Sequence, residues 1–411
     1  MGKPRILLVI GTRPEAIKLA PVVRECRRES DRIEPVICFT GQHREMLRQV
    51  ADYFGIEPDV NLDLMSAGHS LAQFTARCLA ALDHLIETTE PAWLVAQGDT
   101  TTVMVAAIAA FYRGVPFAHV EAGLRTGDLH SPWPEEFNRR LVSLAAELHF
   151  APTRRAAENL LAEGVPAANI KITGNTVVDA LLETIGRERI RDAAWRERHQ
   201  AFGTRPLVLI TGHRRESFGE GLANICRAVA TLAARFPDVE FVYPVHLNPQ
   251  VQRPVYALLG GQRNIHLLAP VSYPEFVWLM DRSSLILTDS GGIQEEAPSL
   301  GKLVLVMREA TERMEAVESG TARLVGTSAE RIAEQVSSFL SEPAPHPQCE
   351  GRANPYGDGH AAERIVQNLL DKMQNEQDNE RTHRLDRHPG THVDHCRMPA
   401  SEPAGAIEHG N

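Results

Sequence analysis

Apolar runs rich in β-branched residues alternate with helical stretches along most of the chain, in two successive series. The runs of the first series are Arg5–Ile10, Pro35–Phe39, Trp93–Ala96, Pro116–Val120 and Leu148–Ala151. Those of the second are Leu207–Thr211, Glu240–Val245, Asn264–Leu268, Leu285–Thr288 and Leu303–Met307. Strands that alternate with helices form parallel sheets covered on both faces. The chain therefore predicts an α/β fold with two doubly wound, Rossmann-like domains.

The predicted domain boundary falls after Gly174, where Asn175 opens a long polar helix toward Arg198. The N-terminal domain then covers residues 1–174 and the C-terminal domain covers 175–358. In residues 374–411, histidines, prolines and charges are scattered without an apolar repeat, which predicts a disordered tail.

Composition restricts the class of protein. The 411 residues are 43% hydrophobic and 23% charged, as in globular proteins of two or three domains. A net charge of -10 argues against nucleic-acid binding, which needs a basic face. Six cysteines without Cys-x-x-Cys spacing indicate thiols in a reducing compartment. No apolar run is long enough to span a bilayer and the first strand begins by Arg5, so we expect a cytoplasmic protein without a signal peptide.

The stretch Leu285–Gly301, LILTDSGGIQEEAPSLG, predicts a strand, a glycine-containing turn and a helix start. Free N–H groups and the positive end of the helix dipole favour phosphate at such a turn, and Ser290, Gly291 and Gly292 let the backbone approach it. The same pattern is more often a plain connection. Glu296 lies about one helical turn further on, where it would reach a pair of ribose hydroxyls.

Polar residues follow five predicted strands at their carboxyl ends, where open parallel sheets bind ligands. These segments are Gly11–Glu15, Gly98–Asp99, His119–Gly123, Thr211–Glu216 and Asp289–Gly292. If the two sheets face each other, the segments meet in one interdomain cleft, which is the predicted active site. Simpler explanations exist for single residues: Asp99 suits a helix N-cap, and Glu121 must be paired if it is buried.

Several long motifs resemble those of the non-hydrolysing UDP-N-acetylglucosamine 2-epimerases. They are GTRPEAIKLAP, QGDTTT, HVEAGLRTGDLHSPWPEEFNRR, GNTVVDAL, TGHRRESFG, YPVHLNP, LTDSGGIQEEAPSLGK and NPYGDG. The resemblance extends from Arg5 to about Met373. It implies a glycosyltransferase-B-like pair of domains with UDP in the cleft between them, a helix at 359–373 that crosses back to the N-terminal domain, and a homodimer.

The resemblance also implies the reaction, an inversion of carbon 2 that converts UDP-N-acetylglucosamine to UDP-N-acetylmannosamine. UDP leaves carbon 1 while a base removes the carbon-2 proton, and UDP returns to the resulting 2-acetamidoglucal after protonation of the opposite face. Such chemistry needs acid/base groups near carbon 2 and stabilisation of the departing diphosphate. No cofactor is expected, and the sequence has no evident metal-ligand spacing.

Site residues are implied in the same way. The catalytic residues are Asp99, Glu121, Glu135 and His213. The substrate-binding residues are Arg13, Lys18, Phe276, Ser290, Gly291, Gly292, Glu296 and Arg313. Which carboxylate removes the proton stays open, because clustered carboxylates titrate as a group; Asp99 and Glu135 are the preferred acid/base pair.

An allosteric site for a second substrate molecule, known in some bacterial members, is left open by the sequence. Its candidate residues are Gln42, His43, Arg215, Glu216 and His246. The Arg-Gln pair of the regulated members is not evident, and His69-Ser70 lies in that region. Two other departures are the absence of glutamine from the uracil segment Ala269–Tyr273 and Met314 in place of a proline after Arg313.

Three alternative functions share part of the pattern. A glycosyltransferase of the same fold would not need three carboxylates together with His213. A non-catalytic sensor of nucleotide sugars would keep Arg13 and the Ser-Gly-Gly turn without the proton-transfer residues. A related UDP-sugar, such as a 2,3-diacetamido uronic acid, would suit the same family, although the WPEE and HRRESFG motifs favour UDP-N-acetylglucosamine.

Truncation after Met373 is expected to leave turnover within about twofold, because the segment beyond it has no apolar repeat with which to join the site. Steady-state turnover of the truncated and full-length proteins measures the effect. A tenfold loss, about 1.4 kcal/mol of transition-state stabilisation, would show that the removed segment contributes to the site.

Overall fold

The computed structural model describes residues 2–41, 44–65, 70–214, 217–342 and 353–386. The chain divides into two compact units, Met1–Gln367, which contains both sheets, and Asn368–Asn411. Among the helices so described, none is long and apolar enough to cross a membrane. Cys26, Cys38, Cys78 and Cys226 are free and buried.

The first domain is built on seven parallel strands. They are β1 (Arg5–Ile10), β2 (Glu34–Phe39), β3 (Val60–Asn61), β4 (Trp93–Gln97), β5 (Phe117–Val120), β6 (Leu148–Ala151) and β7 (Ile170–Ile172), in the spatial order β3-β2-β1-β4-β5-β6-β7. The helices between them are α1 (Arg13–Arg28), α2 (Arg44–Phe54), α3 (Leu71–Thr89), α4 (Thr101–Arg113), α5 (Glu135–Ala145) and α6 (Arg154–Ala162).

The second domain repeats the plan with six parallel strands. They are β8 (Leu207–Thr211), β9 (Glu240–Pro244), β10 (Ile265–Leu268), β11 (Leu285–Thr288), β12 (Leu303–Val306) and β13 (Ala322–Leu324), in the order β10-β9-β8-β11-β12-β13. The helices between β7 and the last helix are α7 (Thr176–Ile190), α8 (Asp192–Arg198), α9 (Glu220–Arg235), α10 (Pro249–Leu259), α11 (Tyr273–Arg282), α12 (Gly291–Glu296), α13 (Met314–Glu318) and α14 (Ala329–Ser341).

The prediction of two doubly wound parallel sheets is confirmed, and each of the ten predicted strands is present. The central strands are apolar throughout because helices cover both faces of each sheet: Ile6–Ile10 and Leu207–Ile210 are fully buried. The sequence missed β3, β7 and β13, which are edge strands of two or three residues with partly exposed side chains. Strands this short cannot show an apolar repeat. The domain boundary after Gly174 stays a prediction, since both sheets lie in one compact unit.

The last helix, α15 (Ala361–Asp386), continues past Met373 into the segment that the sequence predicts to be disordered. Glutamate, glutamine, arginine and lysine have high helix propensity, and neither proline nor glycine occurs between Ala361 and Pro389. The lack of an apolar repeat therefore argued against a buried face but not against a helix. Residues 387–411 of the predicted tail lie outside the described residues. The single helix expected from Asn175 toward Arg198 is two helices, α7 and α8.

Candidate active site

A cavity of about 760 Å³ is lined by residues that follow β1 in the first domain and β8, β9 and β11 in the second. Most of the predicted substrate-binding residues line it. They are Arg13, Lys18, Phe276, Ser290, Gly292, Glu296 and Arg313, together with the catalytic candidate His213 and the allosteric candidate His246. The volume lies within the range of small-molecule sites. The remaining predicted catalytic and substrate-binding residues, Asp99, Glu121, Glu135 and Gly291, are not part of its lining.

The start of α1 brings Arg13 into the cavity wall. Thr12 caps the helix with its hydroxyl, and Pro14 fits the first turn, so the helix begins next to the carboxyl end of β1. Glu15 closes the cap: its carboxylate accepts hydrogen bonds from the N–H groups of Gly11 at 2.5 Å and Thr12 at 3.2 Å. It also accepts one from the Thr100 hydroxyl at 2.7 Å. Glu15 therefore ties the loop before Arg13 to the loop that contains Asp99.

Four charged side chains, Lys18, Glu121, Glu295 and Arg313, form a buried charge network between the domains. Lys18 Nζ donates to Glu121 and lies 3.8 Å from Glu295 Oε2. Arg313 Nε donates to Glu295 Oε1 at 3.0 Å. None of the four side chains is more than 14% exposed. Arg313 also donates to Glu312, so each buried charge of the network has a partner of opposite sign, which lowers the cost of its burial.

Two amides complete the hydrogen bonding of this network. Gln97 Nε2 donates to Glu121 at 2.9 Å. Asn175 Nδ2 lies 3.3 Å from Glu121 and 3.1 Å from Glu295, so one side chain joins carboxylates from both domains. Glu121 itself has φ +68°, a left-handed conformation that is rare for residues other than glycine. The surrounding donors hold Glu121 in this strained position.

Burial and neighbouring charges act in opposite directions on the pKa values of the network. Burial disfavours the charged form of Lys18, but Glu121 and Glu295 outweigh it and raise the pKa of Lys18. Burial also opposes ionisation of Glu121, but Lys18 and Arg313 lower its pKa. Burial raises the pKa of Glu295. Lys18 and Glu121 are thereby held as an ion pair.

In the turn between β11 and α12, the Ser290 N–H donates to Thr288 Oγ1 at 2.9 Å. Ser290 is the N-cap of α12, but its side chain makes no capping hydrogen bond. A Cβ atom at Gly291 would lie 2.7 Å from Arg313 Cζ, so glycine here gives the guanidinium room to reach Glu295. Glu296, at the end of α12, accepts a hydrogen bond from the Tyr273 hydroxyl at 3.1 Å. Burial raises the pKa of Glu296 to about 7.

His213 lies at the end of β8 against Asp289 and His246. The two N–H groups of His213 and Arg214 donate to Asp289 Oδ2 at 2.7 and 2.8 Å, and His213 Nδ1 lies 3.4 Å from Asp289 Oδ1. The rings of His213 and His246 stack with centroids 5.5 Å apart. Burial lowers the pKa of His213, although Asp289 opposes this. The lowered pKa therefore favours the neutral form of His213.

Asp99 lies between β4 and α4, beside α5. Arg139 Nε donates to Asp99 Oδ2 at 3.0 Å, and Asn138 Nδ2 donates to the Asp99 carbonyl at 2.8 Å. The N-cap explanation for Asp99 is wrong: the cap of α4 is Thr100, whose hydroxyl accepts from Val103 N–H. The Asp99 carboxylate is therefore not occupied by capping.

Glu135 and Glu136 stand at the start of α5 but differ in environment. Glu136 is fully buried and accepts hydrogen bonds from the N–H groups of Thr126 and Gly127 and from Arg139. These bonds attach the proline-rich loop before α5 to the helix. Glu135 is only partly buried. Arg139, which binds Asp99, lies one helical turn after Glu135 on α5.

Sequence reasoning missed several residues that organise the site. They are Glu15, Gln97, Asn175, Tyr273 and Glu295. A polar residue that ends a fully buried strand, such as Gln97, was an available signal. The partners of Asn175 and Glu295 are far away in the chain, so no spacing indicates them. Among the allosteric candidates, Gln42, His43, Arg215 and Glu216 lie outside the described residues.

The two Rossmann-like domains and their shared cavity define a glycosyltransferase-B-like protein. A glycosyltransferase from Rickettsia africae has the same fold, with a TM-score of 0.60 over 91% of this chain and 99% of that one. At 13% identity this likeness concerns the fold alone. The predicted fold class is confirmed.

More similar proteins define the family. A family model for UDP-N-acetylglucosamine 2-epimerase matches residues 24–370. The UDP-N-acetylglucosamine 2-epimerase of Yersinia pestis is 50% identical over 89% of this chain and 98% of its own length. The crystal structure of the Neisseria meningitidis UDP-GlcNAc 2-epimerase bound to UDP-GlcNAc has a TM-score of 0.85 and 44% identity, covering 89% of this chain and 100% of that one. This chain belongs to the UDP-N-acetylglucosamine 2-epimerase family, a family of isomerases.

Replacement of Glu15 by Gln is expected to flatten the pH dependence of stability between pH 4.5 and about 7. Burial raises the pKa of Glu15 from 4.5 to about 7, so in this interval the folded protein holds a proton that the unfolded chain has released. The resulting stabilisation is complete below pH 4.5 and is lost as the pH rises through about 7. Glutamine keeps the shape and can accept from Gly11 while donating to Thr100.

Thermal unfolding midpoints across this pH interval measure the effect. Glu57→Gln, at an exposed position of the same domain, is the matched control. If the stability of the Glu15→Gln variant kept the pH dependence of the wild-type protein, the prediction that the buried Glu15 carboxyl is protonated near neutral pH would be wrong.

Proposed function

We propose that the protein inverts carbon 2 of UDP-N-acetylglucosamine, without hydrolysis, by eliminating UDP to a 2-acetamidoglucal and adding it back. The observation that carries the proposal is the contact between the two domains at the site. Lys18 and Glu121 from the first domain form one charge network with Glu295 and Arg313 from the second, directly beside the cavity. Groups suited to bind diphosphate and groups suited to move protons are thus held in one structure.

In this proposal the cavity holds the UDP part of the substrate. Arg13 and the turn of Ser290, Gly291 and Gly292 bind phosphate oxygens, since helix N–H groups and a guanidinium are both suited to anions. Lys18 and Arg313 complete the lining of the nucleotide site. Glu296 accepts hydrogen bonds from the ribose hydroxyls, and the backbone near Phe276 contacts uracil. His213, whose backbone N–H donates to Asp289 just before that turn, stabilises the departing diphosphate.

The carboxylates act on the sugar. As the base removes the proton from carbon 2, the electron pair of the C2–H bond forms the C1=C2 double bond, and the pair of the C1–O bond leaves with UDP. Protonation of the opposite face of carbon 2 accompanies the return of UDP, so the reaction needs no cofactor. Asp99 and Glu135 are proposed as the acid/base pair. The Asp99 side chain is 30% exposed whereas that of Glu121 is 7% exposed and bound by several donors, which leaves Asp99 more accessible to substrate.

The organisation of the chain is proposed in the same terms. The N-terminal domain ends at residue 174 and the C-terminal domain spans 175–358, with the helix after residue 358 crossing back to the N-terminal domain. A cytoplasmic homodimer is expected. Activation by a second substrate molecule stays a prediction, with His246 as its candidate in the cavity wall.

Incubation with UDP-N-acetylglucosamine in deuterated water tests the reaction directly. The expected product is UDP-N-acetylmannosamine with deuterium at carbon 2, observed by NMR. Free N-acetylmannosamine as the first product would indicate hydrolysis instead. A product without deuterium would exclude proton exchange at carbon 2.

Asp99→Asn and Glu135→Gln are each expected to reduce turnover by about 100- to 10,000-fold, the usual contribution of one general acid or base. Both changes keep shape but remove proton-transfer capacity, so UDP affinity should change little. Deuterium exchange and UDP affinity are measured for each variant, with Asp238→Asn at an exposed position as control. If both variants exchanged deuterium at the wild-type rate, the assignment would be wrong and Glu121 would be tested next.

Arg13→Ala is expected to weaken UDP binding and also to slow turnover. The first effect follows from the loss of a charge-assisted contact with diphosphate, the second from the growth of negative charge on UDP as it leaves. Calorimetric UDP affinity and turnover measure them separately. Arg253→Ala, which removes an exposed arginine on α10, is the control. Unchanged UDP affinity in Arg13→Ala would remove Arg13 from the phosphate site.

A further inference from the structure

Tyr273 occupies a position in the cavity wall that the proposed reaction does not use. It is the first residue of α11, where Ser272 provides the N-cap and Pro274 restricts the first turn. The side chain is almost fully buried, yet it lines the cavity together with Glu296. Its hydroxyl donates to Glu296 Oε1 at 3.1 Å. A tyrosine so placed determines the direction in which the carboxylate points.

The second carboxylate oxygen of Glu296 lies on the side of the glycine turn. A Cβ atom at Gly292 would be 4.0 Å from Glu296 Oε2, so the carboxylate lies directly over the turn proposed to bind phosphate. With Oε1 bound by Tyr273, rotation of the carboxylate would break a buried hydrogen bond. The orientation of Glu296 is therefore set before a ligand enters.

The ring of Tyr273 is itself supported by the first domain. Phe54, the last residue of α2, packs against it with ring centroids 6.1 Å apart. The neighbouring Tyr53 donates its hydroxyl to Glu188 of α7 at 2.8 Å, which fixes the end of α2. Contacts from two domains thus hold the hydroxyl of Tyr273 in place.

We propose that Tyr273 is a positioning residue that presents the Glu296 carboxylate to the ribose hydroxyls and thereby makes the site selective for ribonucleotides over 2′-deoxyribonucleotides. The inference rests on the proposed binding of ribose by Glu296. A carboxylate held in one orientation binds a vicinal diol through both hydroxyls, and removal of one hydroxyl leaves a buried acceptor unsatisfied. Discrimination by a fixed polar group is stronger than by an apolar pocket for the same reason.

The test compares affinities for UDP and 2′-deoxy-UDP by calorimetry. Wild-type protein should prefer UDP by about tenfold or more, the effect of one hydrogen bond to a charged group. Tyr273→Phe keeps the ring and removes the hydroxyl, and it should reduce this preference by at least about threefold. Tyr256→Phe, which removes a hydroxyl from a half-exposed tyrosine on α10, should leave the preference unchanged.

A double-mutant cycle locates the effect. Glu296→Gln should also reduce the preference for UDP, and adding Tyr273→Phe to it should reduce the preference no further, because Tyr273 acts through Glu296. If Tyr273→Phe lowered the affinity for both nucleotides equally, its role would be structural only and the inference would be wrong. A wild-type protein that bound both nucleotides equally would overturn it as well.

The pH dependence of the affinity for UDP is a further test, because loss of packing alone would not shift it. The groups facing Glu296 are Tyr273, Glu295, Lys18 and Arg13, and the hydrogen bond from Tyr273 favours the ionised form. Affinity for UDP should fall as the pH falls through about 7, and in Tyr273→Phe this fall should begin at higher pH. The same pH profile in both proteins would contradict the inference.

Two further measurements keep the outcomes distinct. If Tyr273→Phe fails to fold, Phe54→Leu loosens the supporting ring contact instead and should lower the UDP preference; no change there would count against the inference. Deuterium exchange at carbon 2 is recorded in parallel for the wild-type protein. Absence of exchange with intact ribose selectivity would overturn the proposed reaction alone, whereas exchange without selectivity would overturn only the role of Tyr273.

Discussion

The buried charge network of Lys18, Glu121, Glu295 and Arg313 is the constraint on which the site depends. Each charge would be costly in the interior if it stood alone, and removal of one partner from such a pair typically costs about 3–5 kcal/mol. Each domain pairs its own charges, Lys18 with Glu121 and Arg313 with Glu295, and Lys18 also lies 3.8 Å from Glu295 of the other domain. This contact, together with the Asn175 side chain that binds both carboxylates, joins the two domains beside the cavity.

Backbone conformation at three positions allows the network to form. Glu121, directly after β5, adopts φ +68°, so the backbone leaves the extended conformation of the strand at this residue. Gly291 leaves the space through which Arg313 reaches Glu295. At Gly123, just after Glu121, a Cβ atom would lie 2.1 Å from the Ala156 carbonyl oxygen. The glycines of these motifs thus serve close packing inside the protein as well as access for a ligand.

The sequence predicted what depends on local pattern and missed what depends on distant contacts. Long apolar runs identified the central strands, and the polar residues after them identified part of the cavity wall, including Arg13, His213 and Ser290. The role of Asp99 was ambiguous because the sequence does not show which of two adjacent residues, Asp99 or Thr100, caps α4. In the structure the cap is Thr100. The edge strands were too short to show a repeat. Tyr273 and Asn175 gain their importance from partners in other parts of the chain, which a single sequence does not reveal.

The segments Gly174–Asn175 and Tyr356–Gly357 meet beside the network. Asn175 N–H donates to the Tyr356 carbonyl at 2.6 Å, and the Asn175 side chain binds both Glu121 and Glu295. A Cβ atom at Gly174 would lie 3.2 Å from the Cα of Gly357, so two glycines let the crossing segments touch.

A movement of one domain relative to the other changes distances least at its axis and most far from it. The Lys18–Glu121 pair lies within the first domain and is unaffected by such a movement, whereas the contacts of Lys18 with Glu295 and of Asn175 with both carboxylates join the two domains. A movement that broke these contacts would remove partners from buried charges, which is costly. A pivot near Asn175 is the arrangement that keeps them.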